Sequence, residues 1–582
     1  MTLVLGINAF HGDSSACLLR DGEMVAAAEE ERFRRIKHWA GFPAEAVRYC
    51  LHEAGATLSQ LDHVAINQDP RANLGRKLAY TLAHRPSPAL IWERLKNRRR
   101  RAGVPEHLAA AFPGESFKGR VHSIEHHRAH MASAFLVSPF EEAVVVSVDG
   151  FGDFASAAWG VGRGAQVVVA GRVLFPHSLG IFYQALTQFI GFPNYGDEYK
   201  VMGLAPYGEP AYLDDMRRIV KLLPGGEFRL DLDCFVHHRQ RISFEMEGAS
   251  PAFPNLFSPR LAELLGPARA PGEPLTQRHK DLARSTQAMY EEAFFHLLNR
   301  LHERYRLDSV AVAGGCGMNS VANGKITLRT PFKRVYVQSA AGDAGGAIGA
   351  AYAAWHRLGG ARGAPHAHAY WGPGYTREEI ARVLQESSAQ IRESGCTVTH
   401  MADEAQLLGD TASAIARGEV VGWFQGRMEW GPRALGNRSI LGDPRRADMK
   451  DILNLKIKRR ESFRPFAPSV LREAVPEWFE LDGDVPFMMQ VYPIRADKRE
   501  RIPAVTHVDG SGRLQTVSAD TNARYHRLIS TFRELTGVPM VLNTSFNENE
   551  PVVCTPAQAL DCFLRTKMDV LVLGDHVVRR AA

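Results

Sequence analysis

The feature that most constrains the fold is a strand-and-loop motif that occurs twice in the chain. An apolar run at 2–6 leads into a polar loop with a Gly-Asp step and a Ser-Ala step, and a second run at 143–148 leads into a loop of the same kind. Asp13 of the first loop aligns with Asp153 of the second. Buried-strand patterns that end in such loops predict an α/β fold with an internal duplication.

Two further apolar runs end in glycine-rich loops, at 314–319 and 342–346, and the dipeptide Asp21-Gly22 predicts a hairpin turn. Glycine lets backbone N–H groups approach a phosphate closely, and a strand-end aspartate can hold a metal ion. One such loop alone is more often a tight turn, but four of them favour phosphate binding. Duplicated halves with loops of this kind are similar, by analogy, to the ATPase fold shared by actin, sugar kinases and heat-shock chaperones.

A second domain is predicted beyond a Gly/Pro/His-rich stretch at 358–373. We place the boundary near 365, which divides the chain into domains 1–365 and 366–582. Thr555-Pro556 has the residue types of a helix start. The other elements predicted here are a helix at 376–393, strands at 420–424, 487–492, 541–542 and 570–573, and a hairpin at 506–517.

Composition excludes several classes of protein. The chain has 45% hydrophobic and 23% charged residues, which excludes disorder, coiled coil and collagen. Seven cysteines without a CxxC pair do not form a disulfide framework, and neither a signal peptide nor a membrane-spanning run is recognisable. We therefore expect a cytoplasmic protein. The net charge of +6 is diluted over the chain, and the basic run at 94–101 is interpreted as a solvated helix end, with a nucleic-acid patch as the alternative.

A histidine cluster is the clearest candidate for a metal site. His126 and His130 are four residues apart at the start of an alanine-rich stretch that predicts a helix, so both imidazoles lie on one face. This spacing is typical of histidine pairs that chelate a divalent cation. Asp149 and Asp343, each at a strand end, are candidates for completing the coordination, and iron, manganese or zinc would suit such a site. The alternative is a structural histidine cluster.

Several long motifs resemble one enzyme family, the O-carbamoyltransferases of nodulation-factor and antibiotic biosynthesis. The resemblance covers essentially the whole chain. The motifs that carry it are 6–17, 126–135, 196–208 and 314–319 in the first domain, and 426–436, 460–468 and 542–547 in the second.

The resemblance implies a two-step reaction on two domains. The first domain would be similar to the ATPase fold of the tRNA threonylcarbamoyl-transferase, and the second to the YrdC type. The second domain would make carbamoyl adenylate from carbamoyl phosphate and ATP, with Mg²⁺ accompanying ATP. The first would transfer the carbamoyl group to a hydroxyl of a small natural product. The implied metal, most readily Fe²⁺ with Zn²⁺ or Mn²⁺ as alternatives, would be held by His126, His130, Asp149 and Asp343.

The family also implies roles for residues in the first domain. His11 would lie beside the carbamoyl carbon, either as the base that accepts the acceptor's proton or as a donor to the developing oxyanion. Cys316 is interpreted as a packing residue, because adenylate chemistry needs no covalent intermediate on the enzyme. The residues implied in binding the adenylate here are Asp13, Gly314, Gly315 and Asn319.

In the second domain, a carbamoyl phosphate dianion and the ATP triphosphate require several cations. Lys458 and Arg464 are the implied catalytic residues, whereas Arg459 and Arg460 are expected at the surface. The residues implied in binding carbamoyl phosphate are Lys458, Arg464, Arg513, Ser545 and Asn547, and those implied in binding the nucleotide are Arg433 and Met488.

Two alternatives remain at this point. A threonylcarbamoyl-type or hydrogenase-maturation enzyme uses the same two domain types, although the latter carries a Cys-rich zinc region that this sequence lacks. A nucleotide-gated ATPase that transfers nothing is the other. The expected partner is a small hydroxyl acceptor, selected by irregular loops at 228–274, with neither a membrane nor a nucleic acid involved. The sequence leaves open whether the protein is a homodimer.

Overall fold

The computed structural model describes residues 1–84, 103–240 and 254–581. The chain forms two compact units. Unit 1 comprises Met1–Asn319 and Ile326–His366, and unit 2 comprises Ser320–Lys325 and Ala367–Ala582. No helix in the described ranges has both the length and the apolar character that crossing a membrane requires. The basic run at 94–101 lies outside the described residues.

The first sheet of unit 1 forms around the N-terminal apolar run. Its described strands have the order β3-β2-β1-β4-β5, with β1 antiparallel to β2 and parallel to β4. Asp21 and Gly22 join β2 to β3 with φ angles of 51° and 87°, which fits the predicted hairpin turn. The strands are β1 Leu3–Asn8, β2 Ser15–Arg20, β3 Glu23–Glu29, β4 His63–Ile66 and β5 Arg120–Ser123.

The second sheet repeats this topology. Its described strands have the order β12-β11-β6-β7-β8, so a central strand is again flanked by an antiparallel hairpin on one side and two parallel strands on the other. Asp13 and Asp153 both adopt left-handed φ angles, 55° and 48°. The predicted duplication is therefore confirmed. The strands of this half are β6 Glu142–Gly152, β7 Ala155–Arg163, β8 Gln166–Leu174, β9 Val220–Leu222, β10 Phe228–Leu230, β11 Ser309–Ala313 and β12 Arg334–Val337, of which β9 and β10 form a separate ribbon.

Two helices of unit 1 pack closely at glycines, and this contact positions the candidate site. A Cβ at Gly349 in the helix Gly345–Arg357 would overlap the carbonyl oxygen of Ala129 in the helix His126–Phe135. Close approach at this point brings the N-terminus of one helix beside the histidines of the other. The remaining helices of unit 1 are Glu31–Arg34, Ala44–Glu53, Leu74–His84, Val104–Ala111, Leu179–Phe189, Glu198–Leu204, Leu213–Ile219, Pro259–Leu265, Gln277–Tyr305 and Ile326–Arg329.

Unit 2 is a mixed sheet covered by helices. Its described strands have the order β13-β21-β20-β14-β15-β19-β16-β18-β17, in which β14–β20 and β16–β18 are the parallel pairs. The strands are β13 Cys396–His400, β14 Val421–Phe424, β15 Arg438–Gly442, β16 Ala467–Leu471, β17 Gln490–Pro493, β18 Ser511–Val517, β19 Met540–Ser545, β20 Val570–Leu573 and β21 His576–Arg580. The helices are Ser320–Gly324, Arg377–Glu386, Ser388–Glu393, Glu404–Ala416, Met449–Leu453, Val475–Trp478, Ala523–Thr536 and Pro556–Arg565.

The α/β class is confirmed in both units, and the likeness of unit 2 to the YrdC type stays a prediction. The Thr555 hydroxyl caps the helix Pro556–Arg565 by accepting the N–H of Gln558, as the sequence predicts. The hairpin predicted at 506–517 is wrong. Residues 506–510 form a turn closed by the Gly510 N–H on the His507 carbonyl, and only β18 follows it. The strand predicted at 487–492 begins at Gln490 instead.

Candidate functional site

The two predicted histidines converge in unit 1. The helix His126–Phe135 begins after Glu125, whose carboxylate accepts the backbone N–H groups of His127 and Arg128. One turn separates His126 from His130, and their Nε2 atoms lie 3.0 Å apart. Both side chains are almost completely buried. Two imidazole nitrogens only 3.0 Å apart repel one another if both present lone pairs. A proton or a cation bound by these nitrogens removes the repulsion.

Two carboxylates complete the cluster. Asp149 Oδ2 lies 2.9 Å from both Nε2 atoms, and Asp343 Oδ1 lies 3.6 Å from His126 Nε2 and 3.4 Å from His130 Nε2. One ligand atom from each of the four residues lies within 4.8 Å of the others. Asp343 Oδ1 is buried, and no described residue forms a hydrogen bond of acceptable geometry with it. Two imidazoles and two carboxylates form a donor set that fits a divalent iron, manganese or zinc ion.

The backbone fixes the orientation of these groups. Asp149 Oδ1 accepts the N–H groups of Gly150 at 2.7 Å and Gly315 at 3.1 Å, which leaves Oδ2 directed at the imidazoles. Asp153, the repeat partner of Asp13, accepts the N–H of His126 at 2.9 Å and so anchors the first turn of the helix. The duplicated strand-end loop therefore supports the histidine helix directly.

The four groups are electrostatically coupled. Burial lowers the pKa of His130, but the neighbouring carboxylates of Asp149 and Asp343 outweigh burial and raise it to about 10. Burial raises the pKa of Asp149, and the two histidines nevertheless hold it well below its usual value. Burial and the charge of Asp149 raise the pKa of Asp343. The carboxylates thus give the imidazole nitrogens a strong affinity for positive charge.

His11 and the glycine-rich loop adjoin this cluster. The His11 ring centroid lies 5.5 Å from that of His126. Gly314 has φ of 87°, and a Cβ there would overlap the backbone of Val148 on β6. This loop follows β11, so its backbone lies against the strand that carries Asp149. The geometry brings the predicted catalytic histidine, the metal ligands and the predicted adenylate loop to one edge of the second sheet.

Asn319 is held in a buried polar network. Its side-chain amide donates to Gln287 Oε1 at 2.9 Å and accepts from Gln287 Nε2 at 3.1 Å. Gln287 in turn accepts the Tyr183 hydroxyl and donates to Glu291. The network positions Asn319 at the end of the glycine-rich loop, and its predicted contact with an adenylate stays a prediction.

In unit 2, the ammonium group of Lys458 lies beside the last residue of β19, Ser545. Its ammonium group donates to the carbonyl of Ser545 at 2.5 Å, and to the carbonyl and the side-chain oxygen of Asn547 at 2.8 and 2.7 Å. The lysine is 1% exposed, and the Ser545 hydroxyl donates to Asn547 Oδ1 at 2.8 Å. Three residues that were predicted to bind phosphate are therefore brought together.

A group of arginines gives unit 2 a concentrated positive charge. Burial and the charges of Arg433 and Arg460 hold the pKa of Arg513 well below its ordinary value. Arg464 forms a 2.5 Å ion pair with Glu461. Arg460, which was expected at the surface, is half-buried, and its guanidinium stacks 4.7 Å from the ring centroid of Phe466. Arg460 is therefore less exposed than expected, because the Phe466 ring covers its guanidinium and its Nε donates to Asn454 Oδ1 at 3.0 Å.

The loop that carries Arg433 is held by two buried charged residues. Glu429 Oε1 accepts the N–H groups of Leu435, Asn437 and Arg438. The Arg438 guanidinium is fully buried and donates to four backbone carbonyls, those of Pro373, Gln425, Gly426 and Asn437. The loop at 426–436 is therefore held in place by hydrogen bonds from buried charged side chains to its backbone. Met488, the other residue predicted near the nucleotide, is buried with φ of 56°.

Comparison with known proteins gives the family. The family model described as Carbamoyltransferase N-terminus matches residues 3–352, and Carbamoyltransferase C-terminus matches 412–580. The nodulation protein NolNO of Sinorhizobium fredii is 40% identical over 98% of this chain and 80% of its own length. The chain belongs to the carbamoyltransferase family.

More distant relatives of this carbamoyltransferase agree with that assignment. The nodulation protein U of Bradyrhizobium diazoefficiens is 28% identical, over 94% of this chain and 92% of its own. The 3'-hydroxymethylcephem-O-carbamoyltransferase of Amycolatopsis lactamdurans is also 28% identical, over 79% of this chain and 81% of its own. The resemblance inferred from the sequence motifs is confirmed, and the protein is an enzyme of carbamoyl transfer. The roles of individual residues stay predictions.

Sequence reasoning missed a second layer of this carbamoyltransferase site. His38 Nδ1 lies 2.7 Å from Asp13 Oδ1, and the His38 ring meets the edge of Tyr195 with the centroids 5.2 Å apart. A side chain at Gly12 would overlap the Tyr195 hydroxyl. Burial raises the pKa of Glu198 to about 7 and, aided by the charges of Asp13 and Asp343, also raises that of Tyr195. Asp13 therefore belongs to a half-buried ion pair with His38. In the sequence, only the motif at 196–208 indicated that Tyr195 and Glu198 belong to this region.

The ion pair predicts a pH dependence of stability. Burial lowers the pKa of His38, but the charge and hydrogen bond of Asp13 outweigh burial and raise it from 6.5 to about 9. The folded state therefore binds the proton more tightly than the unfolded state. The resulting stability is complete below pH 6.5 and is lost as the pH rises through 9. We expect wild type to lose about 1–3 kcal/mol of unfolding free energy relative to His38→Gln over that interval.

Urea unfolding of both proteins at pH 6 and pH 9.5 measures this difference. His52→Gln, at an exposed position of the same unit, is the control for losing an imidazole. A constant difference between wild type and His38→Gln across this range would contradict the ion pair.

Proposed function

We propose that this carbamoyltransferase is an ATP-dependent O-carbamoyltransferase of small natural products. Carbamoyl phosphate gives its phosphate to water, and the carbamate oxygen displaces pyrophosphate from the α-phosphorus of ATP. The product, carbamoyl adenylate, then reacts with an acceptor hydroxyl, which forms the carbamate ester and releases AMP and a proton. The observation that carries the proposal is that the two family regions contain different polar sites, one rich in cations and one in cation ligands.

The cation-rich site of unit 2 is assigned to adenylate formation. Carbamoyl phosphate and ATP together bring several negative charges. Guanidinium groups that repel one another favour the binding of such anions, because a bound anion relieves their repulsion. The crowding of Arg513 by Arg433 and Arg460 supports this assignment. Lys458 holds the Ser545–Asn547 strand end in place, and its ammonium group would exchange a backbone carbonyl for a phosphate oxygen when the substrate binds.

The cluster of unit 1 is assigned to transfer. A divalent metal, iron in the first instance, held by His126, His130, Asp149 and Asp343 would act as a Lewis acid toward the adenylate or the hydroxyl. His11, beside His126, either accepts the proton of the attacking hydroxyl or donates to the developing oxyanion. The Gly314–Gly315 backbone, held by Asp149 through the Gly315 N–H, would lie beside the adenylate phosphate.

Pyrophosphate release from ATP, measured with and without carbamoyl phosphate and without an acceptor, tests the proposal. We expect release that depends on carbamoyl phosphate. Release that requires threonine and bicarbonate instead would assign the enzyme to the threonylcarbamoyl type. Hydrolysis of ATP to ADP at a rate that does not depend on carbamoyl phosphate would contradict the formation of an adenylate. It would favour the ATPase that transfers nothing.

A further inference from the structure

A second cluster of metal-ligand side chains lies in unit 2, at the end of its sheet. His400 is the last residue of β13 and His576 is the first of the antiparallel strand β21, and the two are directly paired in the register. Their ring centroids lie 4.9 Å apart. Asp575 immediately precedes His576, and its backbone carbonyl accepts the N–H of Met401. The pairing of the two strand ends therefore places two imidazoles and one carboxylate side by side.

The distances suit a shared divalent ion. Asp575 Oδ2 lies 3.4 Å from His400 Nε2, and Asp575 Oδ1 lies 2.9 Å from His576 Nδ1. Ligands at the roughly 2.0–2.2 Å bond lengths of zinc are separated by about 3.3 Å in a tetrahedral site. One ligand atom from each of the three residues lies within 4.8 Å of the others.

Two buried atoms of the cluster point to a missing partner. Asp575 Oδ1 and His576 Nδ1 face one another, yet within the described part of the chain neither atom makes a hydrogen bond of acceptable geometry. Asp575 is only 5% exposed, so the carboxylate oxygen has little access to bulk water. A buried polar atom without a well-formed hydrogen bond destabilises the folded state, and a cation bound by both atoms would relieve that cost.

The surroundings leave space for an ion and its water. A cavity of about 140 Å³ adjoins Asp575, and Gly574, Arg377 and Arg524 also line it. Arg377 Nε lies 3.3 Å from Asp575 Oδ2, but its side chain is 77% exposed and can move into solvent. Arg524 is already paired with Glu404 at 2.9 Å. The exposed guanidinium is therefore the group that a metal ion must displace.

We propose that His400, Asp575 and His576 form a second divalent-metal site, for an ion of the zinc type, that ties the edge strand β13 to β21. Two histidines and one carboxylate from protein leave at least one coordination position for water from the cavity. The site is independent of the carbamoyl-transfer chemistry. Its expected effect is to raise the stability of unit 2, because a ligand that binds only the folded state stabilises it.

Titration of the full-length protein with Co²⁺ tests this site. The double variant His126→Ala/His130→Ala is used as the background, so that the cluster of unit 1 does not contribute. We expect one Co²⁺ per chain with the intense visible absorption of a four-coordinate ion, and a rise in the melting temperature. His400→Asn, at a half-exposed position, should weaken binding by at least about tenfold, the lower limit for changes even in outer-shell partners.

Two further variants make the test specific. Arg377→Gln removes the competing cation and should tighten Co²⁺ binding. His526→Asn, which removes a surface histidine paired with Glu473, should leave binding unchanged. Binding that is unaffected by His400→Asn, or weakened equally by His526→Asn, would overturn the proposal. So would weak, featureless binding in the background protein itself.

Discussion

Replacing His130 by alanine is expected to abolish carbamoyl transfer while pyrophosphate release continues. The imidazole is fully buried and its Nε2 lies 2.9 Å from Asp149 and 3.0 Å from His126, so its removal opens the centre of the cluster. A Lewis-acid contribution of several kcal/mol corresponds to a fall of about 10³-fold or more in the transfer rate. Adenylate formation belongs to unit 2 in our proposal and should be retained.

The measurement follows pyrophosphate and O-carbamoyl product separately, with simple alcohols as acceptor probes, and determines bound metal. His127→Ala is the matched control, because His127 is a buried neighbour on the same helix whose Nδ1 lies 2.9 Å from the Ser147 hydroxyl instead. That control should lose stability but keep its metal and the ratio of the two half-reactions. Equal loss of both half-reactions in His130→Ala would contradict the division of labour between the units.

The duplicated fold was predictable because its signals are local. A buried apolar strand, a Gly-Asp loop and an Asp-Gly turn are each specified by a few consecutive residues, and the left-handed φ angles of Asp13 and Asp153 follow from those loops. The pairing of His126 with His130 was predictable for the same reason, since helical spacing alone sets it. Asp149 and Asp343 required only the further rule that side chains at strand ends gather at one edge.

The missed residues depend on contacts between distant segments. Nothing in the sequence around His38 shows that Asp13 lies 2.7 Å away, or that Tyr195 covers Gly12. Arg460 is one of several basic residues close together in the sequence, and it is the contact with Phe466 that distinguishes it from the exposed Arg459. The false hairpin at 506–517 has a related cause. The turn residues were recognised, but the antiparallel partner of β18 is β17, which precedes the turn by many residues.

Arg513→Gln is expected to lower activity without lowering stability, whereas most substitutions of buried residues lower stability. Because Arg433 and Arg460 already oppose the charge of Arg513, removing that charge relieves repulsion, and the ligand-free protein should be at least as stable as wild type. Loss of a charge-assisted contact with phosphate, worth about 1.5–3 kcal/mol, should nevertheless lower carbamoyl phosphate-dependent pyrophosphate release by roughly 10–100-fold.

Thermal unfolding with and without ATP and carbamoyl phosphate, beside the pyrophosphate assay, measures both effects of Arg513→Gln. The ligands should raise the melting temperature of wild type much more than that of the variant, because they bind only the folded state. Arg392→Gln, at an exposed position of the helix Ser388–Glu393, is the control and should behave as wild type. A destabilised variant with normal pyrophosphate release would make Arg513 a structural residue. The arginine group therefore binds phosphate only if the substitution costs activity without costing stability.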